Sequence, residues 1–127
     1  RLANISTRGF VETQDNVVIG GFMLGGSNTS SRVFIRGLGP SLAAAGVTNV
    51  LSDPMLDLRD GNGQRVVLND NWQDDSAEAS SLTAAGIPLS DSSESGISSL
   101  LLPGSYTVIL SGVNSATGNA LLEIYIQ

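Results

Sequence analysis

The chain reads as all-β: a single β-sandwich or jelly-roll-like domain of about seven or eight strands, with one or two short helical turns. Three observations predict this. Short runs with period-two alternation recur from one end to the other. Clusters of Gly, Asn, Asp and Ser separate them at the spacing expected of a sandwich. Helical periodicity is weak throughout. The length, 127 residues, fits one domain spanning 1–127, enough to bury about two-thirds of its unfolded surface without disulfides or metal staples.

Taken in order, "RLANISTRGFVE" (1–12) is β-like, with Ala3 and Ile5 in alternation and Phe10-Val11 further on. The polar "TQDN" follows as a hinge. "NVVIGGFML" (16–24) is a strand whose Gly20-Gly21 pair marks a bulge or a close backbone approach. "GGSNTSS" is a turn by composition. "RVFIRGL" (32–38) then places Val33 and Ile35 on one face and Arg32, Phe34 and Arg36 on the other. These two strands are expected to form a hairpin. In "GPSLAAAGV", Ser41 is positioned to cap a turn over Leu42–Ala45 that Gly46 stops.

"DPMLDLRDGNGQRVVLND" reads as a second hairpin. Leu56 and Leu58 face one way, Met55, Asp57 and Arg59 the other, "DGNG" turns the chain, and Arg65–Leu68 return. "SAEASSLTAAGIP" carries a short helix with Ala77, Leu82 and Ala85 on one side, ended by Gly86 and Pro88. A strand from Ile97, a turn at Pro103-Gly104 and a strand from Tyr106 come next, with Tyr106, Val108 and Leu110 on one face. "NALLEIYIQ" closes with Leu122, Ile124 and Ile126 on one face and Leu121, Glu123 and Tyr125 on the other.

Composition narrows the function. The hydrophobic fraction is 41%, which argues against disorder, while only 14% of residues are charged, so Ser, Thr, Asn and Gly must supply the polar surface. The net charge is −6 and the six cations, all Arg, are scattered. That argues against nucleic acid, which needs a basic footprint, and against an anionic membrane surface. No apolar run approaches the length of a membrane-spanning helix, so no membrane insertion is expected. Without Cys, thiolate catalysis and Cys-based zinc sites are excluded. With neither His nor Lys, the serines lack an activator of either kind. The sequence begins with Arg1 and not Met, and no signal peptide is recognised in it; the expectation is a processed module, a piece excised from a longer protein, or a subunit in its own right.

The densest polar stretch is "NDNWQDDSAE" (69–78), with Asp70, Asp74, Asp75 and Glu78 around the single tryptophan, Trp72. It admits three readings. Asp70, Asp74 and Asp75 with backbone carbonyls could hold Ca²⁺, which takes six to eight oxygens, although the spacing is not that of an EF-hand loop. Paired-acid glycosidase chemistry needs two carboxylates across a cleft, and Asp74 and Asp75 are adjacent. The favoured reading is a structural loop without cofactor, in which Trp72 plugs the rim of the core while Asn69 and Asn71 bond the loop backbone. "GLGPSLAAAG" has the glycines to cradle an anion but lacks the lysine of a phosphate loop, and reads as a sharp strand-to-helix turn. Asn4-Ile5-Ser6 and Asn28-Thr29-Ser30 are formal glycosylation sequons. Trp72, Tyr106 and Tyr125 would be the candidates for a sugar-stacking platform, against the simpler reading of packing.

The phrases "RLANISTRGFV", "VVIGGFMLGG", "RVFIRGLGPSLAAAGV", "LSDPMLDLRDGNG", "NDNWQD", "LLPGSYTVILSG" and "TGNALLEIYIQ" together resemble a β-rich C-terminal or repeat module of large secreted bacterial proteins. The second half, "LDLRDGNG…NDNW…LLPGSYTVILSG", is more loosely similar to the bacterial pre-peptidase C-terminal sandwich domain. The resemblance implies an exported, non-catalytic sandwich, extracellular or at the cell surface, and no active-site residues. The expected function is therefore a structural module that self-associates in a surface assembly or filament. The alternative is a carbohydrate- or Ca²⁺-binding adhesive appendage of a larger secreted protein, with surface polysaccharide as partner. For self-assembly, residues 1–12 are the candidate exchangeable strand, and Leu2, Ile5, Phe10 and Val11 would supply buried area.

Overall fold

The computed structural model describes residues 3–13, 16–26 and 28–127. Eight strands run β1 (Ala3–Val11), β2 (Val18–Leu24), β3 (Ser31–Leu38), β4 (Pro54–Arg59), β5 (Arg65–Asn69), β6 (Ser95–Leu101), β7 (Gly104–Gly112) and β8 (Gly118–Ile126). They form two four-stranded antiparallel sheets, ordered β1-β8-β3-β6 and β2-β7-β4-β5. The expected β-sandwich is what folds.

The alternation fixes which side each strand buries. Val33 and Ile35, Leu56 and Leu58, Val108 and Leu110, and Leu122 and Ile124 all point between the sheets and are almost completely buried. Their sheet-outward neighbours are mostly polar or half-exposed, as a sandwich with one core layer requires. Gly20 allows a close approach: a Cβ there would sit 2.8 Å from Leu122 Cδ2. The β2–β7 register runs through it unbroken, so the glycine pair marks close packing and not a bulge.

The β4–β5 hairpin forms where expected. Asp60 Oδ1 accepts from Asn62 N and Gln64 N at 2.9 and 3.0 Å, and Gly63 takes the left-handed φ of 78°. The expected β2–β3 hairpin does not form. β2 pairs with β7, and β3 with β6 and β8, in opposite sheets. A turn-rich segment reports that the chain reverses. It does not report whether the reversal stays within a sheet or crosses between two.

Helical structure is sparse. A 3₁₀ turn covers Pro40–Ala45 and ends at Gly46, φ 88°. Ser41 does not cap it, because its hydroxyl is donated elsewhere. The α-helix α1 (Ser76–Ala84) lies outside the first sheet, against β6. Leu82 and Ala85 face inward as expected, but Ala79 and not Ala77 is the third packed position. With Phe34, Trp72 and Leu89 they form a second apolar cluster on the outer face of β3 and β6. Gly96 leaves the room: a Cβ there would meet Leu82 Cδ1 at 2.7 Å and Trp72 Cβ at 3.0 Å.

Candidate functional site

The acidic stretch 69–78 is taken apart by the fold. Asp75 is the N-cap of α1, its Oδ1 accepting from Ala77 N at 3.0 Å and Glu78 N at 3.1 Å. Those are two of the donors that a helix start leaves unpaired. Asp74 is exposed, and its N–H closes a turn on Asn71 O. Asp70 accepts from Asn71 Nδ2, and the Asp53 carboxyl is pushed up by burial first and by the Asp70 charge second. Asp53 Oδ1 is buried without a hydrogen-bond partner. Asp70, Asp74 and Asp75 therefore do not converge. Among the described residues no three His, Cys, Asp or Glu side chains are grouped as a metal ion would need.

Trp72 is 8% exposed and anchors the loop, but in the outer cluster and not at the rim of the main core. Its backbone N–H donates to Glu94 O. Asn69 secures the loop as expected: Nδ2 donates to Asn71 O at 3.1 Å and Oδ1 accepts from Gly96 N at 3.0 Å. The Asn71 side chain contacts Asp70 and not the backbone. The three aromatics do not share a surface. Tyr106 stacks on Phe22 at 5.3 Å beside the main core, while Trp72 and Tyr125 belong to the outer cluster.

The "GLGPS" turn does cradle an anion, and the anion is internal. Glu94 is fully buried, and its Oε2 accepts from Gly39 N and Ser41 N, both at 2.9 Å, and from Ser41 Oγ at 2.6 Å. Glu94 was not singled out from sequence, since no local pattern links it to residues more than fifty positions earlier. The Asp75 cap did leave a local signal: an N-cap residue with Glu three positions later, the capping-box spacing.

Two further charge clusters sit on the outer faces. Arg36 reaches Glu123 through Nε, at 2.8 Å, and through Nη2, and lies over the Tyr125 ring. On the other sheet Asp57 is held by Arg59 at 2.9 Å and by Arg65 at 3.1 Å. Burial alone would raise its carboxyl. The hydrogen bonds from Arg65 and Arg59, with their charges, hold it below the usual carboxylate range.

A cleft of about 350 Å³ runs between α1 and the β5/β6 side, lined by Arg32, Val67, Asp75, Ala77, Glu78, Ser81 and Ser98. Its carboxylates are already engaged: Asp75 caps the helix, and Glu78 Oε1 accepts from Ser98 N at 3.0 Å. The Glu78 carboxyl is pushed up by burial; the Ser98 N–H opposes this and the Asp75 charge adds to it.

Of the assembly candidates, Ile5 and Phe10 are about half exposed at 47% and 51%, and Val11 is fully buried. Leu2 lies outside the described residues, as do Gln14 and Asp15 of the hinge. β1 pairs with the chain's own β8 along its whole length. The sequon asparagines Asn4 and Asn28 are both exposed.

No family model matches the chain, and no curated protein does. Among solved structures it is similar to the pre-peptidase C-terminal domain of a collagenase from Bacillus anthracis. The TM-score is 0.57 at 10% identity, over 95% of this chain and 88% of that one. At that identity the likeness is one of fold: this chain shares the sandwich architecture of a pre-peptidase C-terminal domain.

Proposed function

We propose that the chain is a non-catalytic structural module of a larger exported protein, working outside the cell or at its surface, and that it associates with further copies of itself. One observation carries the self-association: the edges of the first sheet are treated unequally. The free edge of β6 is guarded, because Gly96 N and Ser98 N, which a neighbouring strand would need, are taken by Asn69 Oδ1 and Glu78 Oε1. The opposite edge, β1, is nine residues long and contains neither Pro nor Lys. No side chain among the described residues bonds its main chain. Its side chains at 4–8 and 10 are all exposed. The non-catalytic half of the reading is supported by the engagement of Asp57, Asp75, Glu78, Glu94 and Glu123 in bonds that hold the fold. Sedimentation velocity from micromolar to millimolar protein, with a glycoside and peptide turnover panel, tests both halves. A concentration-dependent shift to a larger species without turnover is expected. A monomer throughout, or turnover abolished by Asp70→Asn, would refute it.

A further inference from the structure

We infer that the partner of β1 is β1 of a second copy, paired antiparallel about a two-fold axis at Thr7, which joins the two first sheets into one. This rests on the self-association reading and gives it a geometry. Gln127 N donates to Arg32 O, so the odd-numbered residues of β8 direct their main-chain groups toward β3 and the even-numbered ones toward β1. Through the β1–β8 register, Ile5, Thr7, Gly9 and Val11 bond to β8. Asn4, Ser6, Arg8 and Phe10 therefore present their N–H and C=O groups to the free edge, since main-chain groups alternate along a strand.

A two-fold perpendicular to the sheet keeps inner faces with inner faces, so even-numbered residues must pair with even-numbered ones. Three registers compete. Placing Arg8 opposite its own copy sets two cations side by side. Placing Ser6 opposite its own copy leaves Phe10 without a partner among the described residues, because it then faces position 2. Placing Thr7 on the axis sets Ser6 opposite Arg8 of the second copy and Asn4 opposite Phe10 of the second copy, so every edge group of these four residues is paired. On the inner face that register lays Ile5 over Gly9 of the second copy. Ile5 points inward but is 47% exposed. Gly9 has no side chain to resist it, and a Cβ there would already meet Val18 Cγ2 at 2.8 Å.

The chain has no cysteine, which makes the register directly readable. Directly opposed, non-hydrogen-bonded residues have Cα atoms about 4.5 Å apart, within disulfide range. Thr7→Cys is therefore expected to give a disulfide-linked dimer under mild oxidation. Ile5→Cys, whose two copies would be more than about 13 Å apart along the strands, is expected to stay uncrosslinked. Ser6→Pro removes a donor on the free edge but none used by β8. It should weaken dimerisation at least about tenfold with an unchanged far-ultraviolet spectrum. A sedimenting dimer in which Thr7→Cys does not crosslink, or which Ser6→Pro leaves intact, overturns the edge pairing while self-association stands. Exchange of β1 into the next copy would give that result. A monomer at every concentration overturns both.

Discussion

Glu94→Ala should be among the most damaging single changes in this chain. The wild-type carboxylate, itself fully buried, satisfies three donors on one oxygen, at 2.9, 2.9 and 2.6 Å. Alanine leaves all three without an acceptor. Gly39 N is buried and bears the full penalty of about 1–3 kcal/mol for an unpaired donor. Ser41 is only partly buried, so its N–H and its rotatable hydroxyl recover some solvation. Partly offsetting this, the carboxylate's own burial disappears, including that of Oε1, which has no partner. A net loss of about 3 kcal/mol follows. Glu94→Gln separates the contributions: its carbonyl still accepts, but its NH₂ falls where Oε1 found nothing, for a loss of about 1–2 kcal/mol. Urea unfolding followed by tryptophan fluorescence measures both, provided the slope is unchanged. Equal stability of wild type and Glu94→Ala, or a glutamine variant worse than the alanine one, would refute the reasoning.

Trp72→Ala should cost about 3–5 kcal/mol, by hollowing the outer cluster between Phe34, Leu82 and Leu89; calorimetry checks this, and a loss under about 1 kcal/mol would make the cluster dispensable. Asp57→Asn should flatten the acid side of the stability profile. Because the folded carboxyl lies below its unfolded value, its contribution is present above about pH 3.9 and is lost as pH falls through the folded value, so an unchanged acid limb would contradict the clamp by Arg59 and Arg65. EDTA should barely move the melting temperature, since Asp75 is used as a cap and Asp74 faces solvent. A large drop restored by Ca²⁺ would direct attention to Asp53 and Asp70.

The strands were legible because each carries its own alternation. Val33/Ile35, Leu56/Leu58 and Leu122/Ile124 reveal their inner faces with no knowledge of partners. Pairing was legible only once, at β4–β5, where the Asp60–Gly63 turn is short enough to enforce adjacency. The missed β2–β3 arrangement shows the limit, since the turn before β3 carries composition but no direction. The site residues divide in the same way. Asp75 carries a local sign of its cap in the spacing to Glu78, but from sequence it is weighed only as a metal ligand or one of a pair of acids. The Asp70 charge acting on Asp53, and Glu94 filling the Gly39–Ser41 turn, depend on segments brought together by the whole sandwich, which no local window contains.

Of the six strand pairings among the described residues, only β4–β5 joins neighbours in sequence, and β1 must pair with β8, the last strand. A chain that emerges with its N-terminus first can therefore close a single hairpin early and must wait for its final residues before the first sheet is complete. Such non-local pairing is intrinsically slow, because loop closure precedes the contacts that reward it. For a polypeptide threaded through a narrow channel such a delay would be useful, because the sandwich closes only once its last strand has arrived.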